Sequence, residues 1–583
     1  MASLYVNRNV AFNIHMRPVV PVILLCGFVC FQSPVEARSP ARQTVSFNTT
    51  WDAGIGNEIF VTGSHPDLGN WTATGAVKLF WTSGNVWTGS IAVQAGTALE
   101  YKFIKRTNAP GVYCDAVNIE WAPGNNLSNN LAAAPPAPYS GKTLYYHSGW
   151  TSAAVAYRIG TNWFGASMTR DGVGRNAGEY RYRVSGIGEE GEDIEFIPHG
   201  WYGGVEYWDH APYGGYGDSN YFTSLDVLFL QDGNIYSYWP PTNPSASRVL
   251  TTNIVSSWAP TIPSRDVRIY LPRGYDQNTW KTYPVLYFHD GQNVFQPGGS
   301  YGCWNAELSA NKEISQGRMR EAILVAVDTT SERNRELCPP GDNAGDGLGT
   351  GNLYANFLVH NVRPTIDTHY RTLNDRANTM TAGSSMGGLA SAYLGLETNV
   401  FGRIGAFSPA FLVASNFMGR INTNNTKGIK IYMDDGTLNL DAELWADTWI
   451  AYNYFLADHY VANDDLLMAV GCGHDHNEAA WAERLPGAYH FLLNIRDEEN
   501  QLARVGYPPS ISNAVAGITN QSFSFRIQTL EQQAYFMERK TNLMGADWTP
   551  INAFTESVPW SVRTMIDTNV PAGDSMFYRI RVE

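Results

Sequence analysis

The chain has 583 residues, 44% hydrophobic and 16% charged, and its length alone suggests about four domains. A net charge of −14 disfavours nucleic acid and anionic membranes as partners. The 18 tryptophans and 32 tyrosines suit sugar-stacking surfaces as well as cores.

The first segment, 1–37, reads as an export leader. Arg8 and Arg17 precede the apolar run Val19 to Phe31, and Val35-Glu36-Ala37 offers small residues for cleavage before Arg38. The run is short for a bilayer span, and no later segment is long and apolar enough, so no membrane partner is expected. Secretion, extracellular or periplasmic, is the expectation. Past this leader lie Cys114, Cys303, Cys338 and Cys472. In an oxidising compartment Cys303 and Cys338 either bridge two loops or remain buried thiols.

Residues 43–131 show short strand-like runs separated by turn residues, the pattern of a β-sandwich. Gly63-Ser64, Leu68-Gly69-Asn70-Trp71, Ala95-Gly96-Thr97, Glu100-Tyr101-Lys102-Phe103-Ile104 and Glu120-Trp121 carry a close resemblance to the glucoamylase-type starch-binding domain, carbohydrate-binding module family 20. That resemblance implies starch or a related α-glucan as partner. It also implies a sugar site made of Trp71, Lys102, Trp121 and Asn126, with indoles stacking on glucose rings. Ala122 departs from the family pattern, which has an acidic residue there.

Ala132 to Pro138 is a linker by composition. Residues 142–250 are again β-rich, with Trp150, Trp163, Trp208-Asp209 and Asn220-Tyr221 as landmarks. This stretch faintly resembles the starch-binding module of family 25, with Ala156 where that family's ligand histidine is expected. A second glucan binder, a spacer and a structural collar are all open readings.

From 252 to 500 apolar runs such as Pro284 to His289, Ala322 to Asp328, Ile404 to Ser408 and Ile429 to Met433 alternate with amphipathic stretches. Leu353–His360 and Ala442–Phe455 are predicted helices. Alternation of this kind predicts an α/β doubly wound sheet. Within it, Gly383-Ser384-Ser385-Met386-Gly387 fits G-x-S-x-G, with a short strand before and a helical pattern after. The pattern predicts a sharp strand-to-helix turn that exposes Ser385 as nucleophile. No metal-ligand spacing, phosphate-cradling loop or dinucleotide fingerprint competes, so neither metal nor cofactor is expected.

Arg268 to Pro272, His289-Asp290-Gly291-Gln292-Asn293, the Ser385 turn and Asn477 to Trp481 together resemble the putative-esterase (esterase D-like) branch of the α/β-hydrolases. The resemblance implies acyl-ester substrates. In related esterases the catalytic histidine sits five residues before a tryptophan, which selects His476 before Trp481 and leaves His474 as second choice. The acid is expected on a loop after Met433. Many relatives carry it where this chain has Asn439, so Asp441 is the first candidate, Asp434 the second, and a serine–histidine dyad the third. The oxyanion donors are expected at the Met386 amide and at Gly291 or Gln292. Residues 505–583 read as a small C-terminal β domain. The whole is thus a multidomain chain: β-sandwich modules, an α/β-hydrolase domain and a C-terminal β unit. The expected activity is that of a serine carboxylic-ester hydrolase. A degenerate, glucan-binding protein or an acyltransferase of the mycolyltransferase type are the alternatives.

Overall fold

The computed structural model describes residues 42–497 apart from 55, 95–97, 115–118, 131–140, 160–161, 174–177, 189–191, 213–219, 239, 242, 258–261, 280 and 423–427; beyond them it describes strands at 9–14 and 22–27 and between 511 and 582. The expected linker at 132–138 lies outside the described residues. Residues 39–498 form one compact unit, and the two chain ends form another.

In the unit of the chain ends, Asn9–Ile14 pairs antiparallel with Val22–Gly27, which pairs parallel with Met576–Val582. Ala534–Lys540 and Thr549–Thr555 complete that sheet, and Ile511–Gly517, Ser522–Thr529 and Ser561–Asp567 make a second.

In the other unit, residues 42–130 form two facing sheets. One joins Arg42–Thr50, Val86–Gln94 and Phe80–Thr82; the other is built on Asn57–Gly63 and Ala98–Thr107. Alternate residues point inward, so Val45, Phe47, Ile59, Val61, Leu79 and Ile91 share one core. Residues 142–236 make a second sandwich around Leu144, Val155, Tyr182, Phe196, Tyr221 and Leu228.

The third part is an eight-stranded sheet. Its strands are β1 (Arg248–Ile254), β2 (Arg265–Leu271), β3 (Val285–Phe288), β4 (Ile323–Val327), β5 (Thr379–Ser384), β6 (Arg403–Phe407), β7 (Lys430–Gly436) and β8 (Leu466–Gly471). They run in the order β1-β2-β4-β3-β5-β6-β7-β8, antiparallel only where β2 meets β1 and β4. β3 to β5 are buried at every position, as strands covered on both faces must be. Edge strand β1 straddles the boundary expected near 251, because it pairs with β2 along its whole length.

Three helices position the candidate site. These are α1 (Met386–Glu397), α2 (Asn439–Ala457) and α3 (Glu478–Leu492). The predicted helix 353–360 is Gly351–Phe357, continued by a π-helical turn and by Arg363–His369.

The first sandwich is built into the α/β part. At its short helix Pro110–Tyr113, the Tyr113 ring packs 5.1 Å from Trp445 and 5.8 Å from Trp449, both on α2. Buried Lys78 bonds the Asn453 side chain, meets Glu58 at 3.0 Å and lies 5.6 Å over the Trp449 ring. Asn463 donates to the Asp67 carbonyl at 2.9 Å. Beside Tyr113, Cys114 is disulfide-bonded to Cys472. This corrects the pairing considered for Cys303 and Cys338, which are both free thiols. Tyr113 anchors on α2 and brings Cys114 against the loop after β8, a proximity that no local pattern announces.

Candidate active site

The carboxyl ends of the parallel strands are in register: Phe288 is level with Ala382, Ser384 with Phe407, Phe407 with Asp434, and Gly436 with Gly471. Residues just past these ends therefore share one edge of the sheet, where open α/β sheets bind ligands.

Ser385 lies between β5 and α1 with φ 57° and ψ −121°, a strained conformation for a residue with a Cβ. The structure holds it there. Ser385 N–H donates to Phe407 O at 2.9 Å, and Ala410 N–H to Ser385 O at 3.0 Å. A Cβ on Gly383 would come within 2.8 Å of the Gly387 backbone, which explains the glycines on both sides of the serine. From Thr379 to Ala392 every residue is buried except Ser385. The chain thus turns the serine, and little else, toward solvent.

His476 lies between β8 and α3, where the Asn477 side chain caps the helix by accepting from Ala480 N–H. His476 Nδ1 donates to Asp441 Oδ1 at 2.6 Å. The ring packs edge-on against Trp481 at 4.9 Å. Asp441 is fully buried in the first turn of α2, so the expected loop is in fact a strand end followed by a helix start. Its Oδ2 accepts from Gly436 N–H at 2.9 Å and from Ser408 Oγ at 3.0 Å. Ser408 Oγ in turn accepts from Trp481 Nε1 at 3.0 Å and Arg484 Nη2 at 2.8 Å. Both of those partners only donate, so the hydroxyl proton must point at Asp441. One carboxylate oxygen is thereby fixed, and the other is left for the histidine.

The other candidate acid does different work. Asp434 accepts from Tyr432 OH at 2.9 Å and Ser408 N–H at 3.1 Å, and pairs with Arg484 at 3.0 Å. It shares no bond with His476. Asn439, where the resemblance implied the acid, donates to Asp475 at 2.7 Å and so ties the start of α2 to the histidine loop. His474 has other partners, 3.4 Å from Arg484 Nη1 and 3.1 Å from Glu483. Asp435 is buried beside Asp441 and Asp434, and burial first, then those charges, push its carboxyl well above the usual range.

The segment after β3 approaches the serine turn from the other side. Asp290 has φ 54°, and Arg333 grips both its oxygens at 2.6 and 2.7 Å. Gly291 and Gln292 open a 3-10 turn and Met386 opens α1, so the N–H groups of all three lack acceptors within their own helices. A Cβ on Gly387 would lie 3.3 Å from His289 Cβ, which measures how closely the two segments pass. His289 is buried between Tyr354 OH at 2.9 Å and Thr381 Oγ1 at 3.1 Å, and burial lowers its pKa to about 4.

Sequence reasoning missed Ser408, Arg484 and Tyr432. Arg484 had one usable signal: it follows Trp481 by three positions and so shares its helix face.

The four residues expected to bind sugar also converge. Lys102 pairs with Thr62 and donates to Gly124 O at 2.8 Å; Trp121 pairs with Ile104 and is 43% exposed. Trp71, with φ 64°, donates its N–H to Gly63 O, level with Tyr101. Exposed Asn126 precedes Leu127, which also pairs with Tyr101.

Residues 262–500 match the family model described as Putative esterase, and residues 42–135 match the model described as Starch binding domain. An alpha-amylase of Streptomyces violaceus is 36% identical over 89 residues, 15% of this chain and 14% of that protein. The AA13 family lytic polysaccharide monooxygenase A of Aspergillus terreus is 46% identical over 78 residues, 13% of this chain and 20% of that protein. The chain therefore spans no more than a fifth of the length of these relatives. Among solved structures, a ferulic acid esterase matches with TM-score 0.35 and 19% identity over 43% of this chain and 99% of its own. Ferric enterobactin esterase from Salmonella typhimurium matches with TM-score 0.35 and 15% identity over 80% of this chain and 98% of its own.

Proposed function

With an esterase-family domain at 262–500 and a starch-binding domain at 42–135, we propose that this chain is a serine carboxylic-ester hydrolase that works on acylated carbohydrate held near α-glucan. The observation that carries the reading is the half-buried, strained Ser385 on the same sheet edge as the bonded His476–Asp441 pair. In this reading Ser385 attacks the ester carbonyl as His476 takes its proton. The alkoxide leaving group then receives that proton, and water repeats the sequence on the acyl-enzyme. Asp441 holds the imidazole with Nε2 free to act and steadies its positive form. The amides of Met386 and of Gly291 or Gln292 receive the oxyanion.

The acyl group is of acetyl or feruloyl type. Exposed Leu412 and Leu438 support an apolar acyl chain: one follows Ala410, which bonds Ser385, and the other bonds the His474 carbonyl. In this reading residues 1–37 serve as an export leader, so the strands at 9–14 and 22–27 leave the chain-end sheet on cleavage, and the Cys114–Cys472 bridge suits the oxidising compartment that export reaches.

The test is Ser385→Ala assayed with short chromogenic acetyl and feruloyl esters. Hydrolysis should fall by several orders of magnitude with the melting temperature kept. A rate within tenfold of the unsubstituted protein removes the reading and leaves a glucan-binding protein. Transfer of the acyl group to an added sugar in preference to water would make the chain an acyltransferase.

A further inference from the structure

The second sandwich exposes aromatic residues in a pattern its own core does not require. Its outer sheet joins Asn162–Ser167, Ser152–Ile159, Ile194–Tyr202 and Val205–Trp208 in that order. Alternation sends Ala153, Val155 and Phe196 into the core. It sends Ala154, Ala156 and Arg158 to the opposite face, and their strand partners with them: His199 beside Ala154, Gly165 beside Ala156, Trp163 beside Arg158. On the next strand Trp208 pairs with His199. Trp163 is 46% exposed and Trp208 45%. His199 stacks on Trp208 with centroids 4.3 Å apart and planes 11° apart, and packs edge-on to exposed Trp201 at 5.5 Å. The face is thus a shallow trough. Its floor is Ala154, Ala156 and Gly165, and its two rims are indoles three strands and four residues apart, roughly 14 Å across the sheet and 13 Å along it, or about 19 Å on the diagonal.

Arg158, Glu195, His199 and Glu206 on this face have partners. His199 meets Glu206 at 2.8 Å, and Arg158 meets Glu195 at 2.8 Å. Asn220 donates to the same Glu195 at 2.7 Å. Arg158 offsets Glu195 and Glu206 adds a further carboxylate, so these groups offer no net positive field to an anionic partner. They do offer fixed donors and acceptors between flat apolar rings, which is what a neutral polyhydroxylated chain needs.

We propose that this trough is a second glucan-binding site, in which a neutral α-glucan strand lies across Ala154, Ala156 and Gly165 with sugar rings on Trp163 and on the Trp208–His199 stack. The Starch binding domain match at 42–135 supplies the reason to choose α-glucan among neutral polysaccharides. Two sites on one compact unit would raise retention on a polymeric surface well above either alone.

The experiment uses four full-length proteins: unsubstituted, Trp71→Ala/Trp121→Ala, Trp163→Ala/Trp208→Ala, and all four changes together. Maltoheptaose is titrated by calorimetry, and adsorption to granular starch is measured. Two sites per chain are expected in the unsubstituted protein, one in each double variant and none in the quadruple. Starch adsorption should fall at least tenfold in Trp163→Ala/Trp208→Ala. Unchanged stoichiometry and adsorption in that variant overturns the proposal. If instead Trp71→Ala/Trp121→Ala is the silent pair, only the first-site assignment fails. Trp163→Phe/Trp208→Phe keeps flat rings and should bind within threefold of the unsubstituted protein, which separates lost stacking from misfolding; tenfold loss there with an intact melting curve also counts against the trough. Light scattering covers the remaining occupant. A dimer that becomes monomeric in Trp163→Ala/Trp208→Ala, with maltoheptaose binding intact, would make the face a self-interface and overturn the glucan site.

Discussion

Asp441 and Asp434 lie on either side of Arg484, and only Asp441 reaches His476. Arg484 pairs with Asp434 at 3.0 Å and approaches Asp441 at 3.5 Å, while Asp441 alone bonds the imidazole at 2.6 Å. The two carboxylates have one cation between them and separate tasks.

Asp441→Asn is therefore expected to lower kcat by about 10³–10⁴, because an amide favours the wrong imidazole tautomer. Its melting temperature should move little. Asp434→Asn leaves buried Arg484 without its closest ion-pair partner, and should cost about 3 kcal/mol of stability with kcat within tenfold. Steady-state rates and melting curves for both proteins check this, and the reverse pattern would falsify the division of roles.

His289 gives a pH dependence with a definite sign. Burial lowers its pKa to about 4 from an ordinary 6.5, so the unfolded chain binds its proton first as acid is added. Stability from this residue is complete above pH 6.5 and is lost as the pH falls toward 4, by about 3 kcal/mol in all. His289→Gln keeps a polar group between Tyr354 and Thr381 and removes the titration. Urea unfolding at pH 7.5 and 4.5 should show a smaller acid loss in the variant; equal losses in both proteins would assign the effect elsewhere.

The first sandwich grips both parts of the histidine–acid pair. Tyr113 packs on α2, which carries Asp441, and Cys114 is bonded to Cys472, four residues before His476. Cys114→Ser/Cys472→Ser should lower stability by about 3–5 kcal/mol, since the bridge closes a long loop. It should also lower kcat more than it raises KM. Removing residues 43–131 should do more harm still, exposing Trp445 and Trp449. A truncated chain with unchanged melting and unchanged rate would mean that the docking is incidental.

Trp71→Ala/Trp121→Ala should cut adsorption to granular starch at least tenfold and leave the melting transition in place. The strained backbone at Trp71 is the motive, since strain of this kind is kept where a side chain must be presented. Full adsorption by the double variant, together with full adsorption after change of the second-sandwich trough, would move starch binding to an unidentified surface.

Much of this was legible in the residues, and the part that was not has a common cause. Buried parallel strands announce themselves as apolar runs, so β3, β4 and β6 fall within a residue of expectation, while β7 runs on past the expected Met433 to Gly436. The turn at Ser385 was legible because its glycines answer a purely local crowding. Ser408 and Arg484 were not, because their importance is a meeting of two chain segments far apart in sequence. The start of α2 reads as loop because Gly436-Thr437 looks like a turn, whereas the helix begins at Asn439 with a positive φ that sequence does not advertise. The disulfide is the extreme case, with 358 positions between its ends.

That separation has a consequence for how the protein is made. At ordinary rates of synthesis, roughly 20–70 s pass between the appearance of Cys114 and that of Cys472. Cys303 and Cys338 emerge first, and either is a wrong partner within reach. The early sandwich must wait with a live thiol until the last third of the sheet arrives to claim it. Yield should then depend less on the speed of oxidation than on the ability to undo it, and a host rich in disulfide isomerase should produce more native protein than one that merely oxidises.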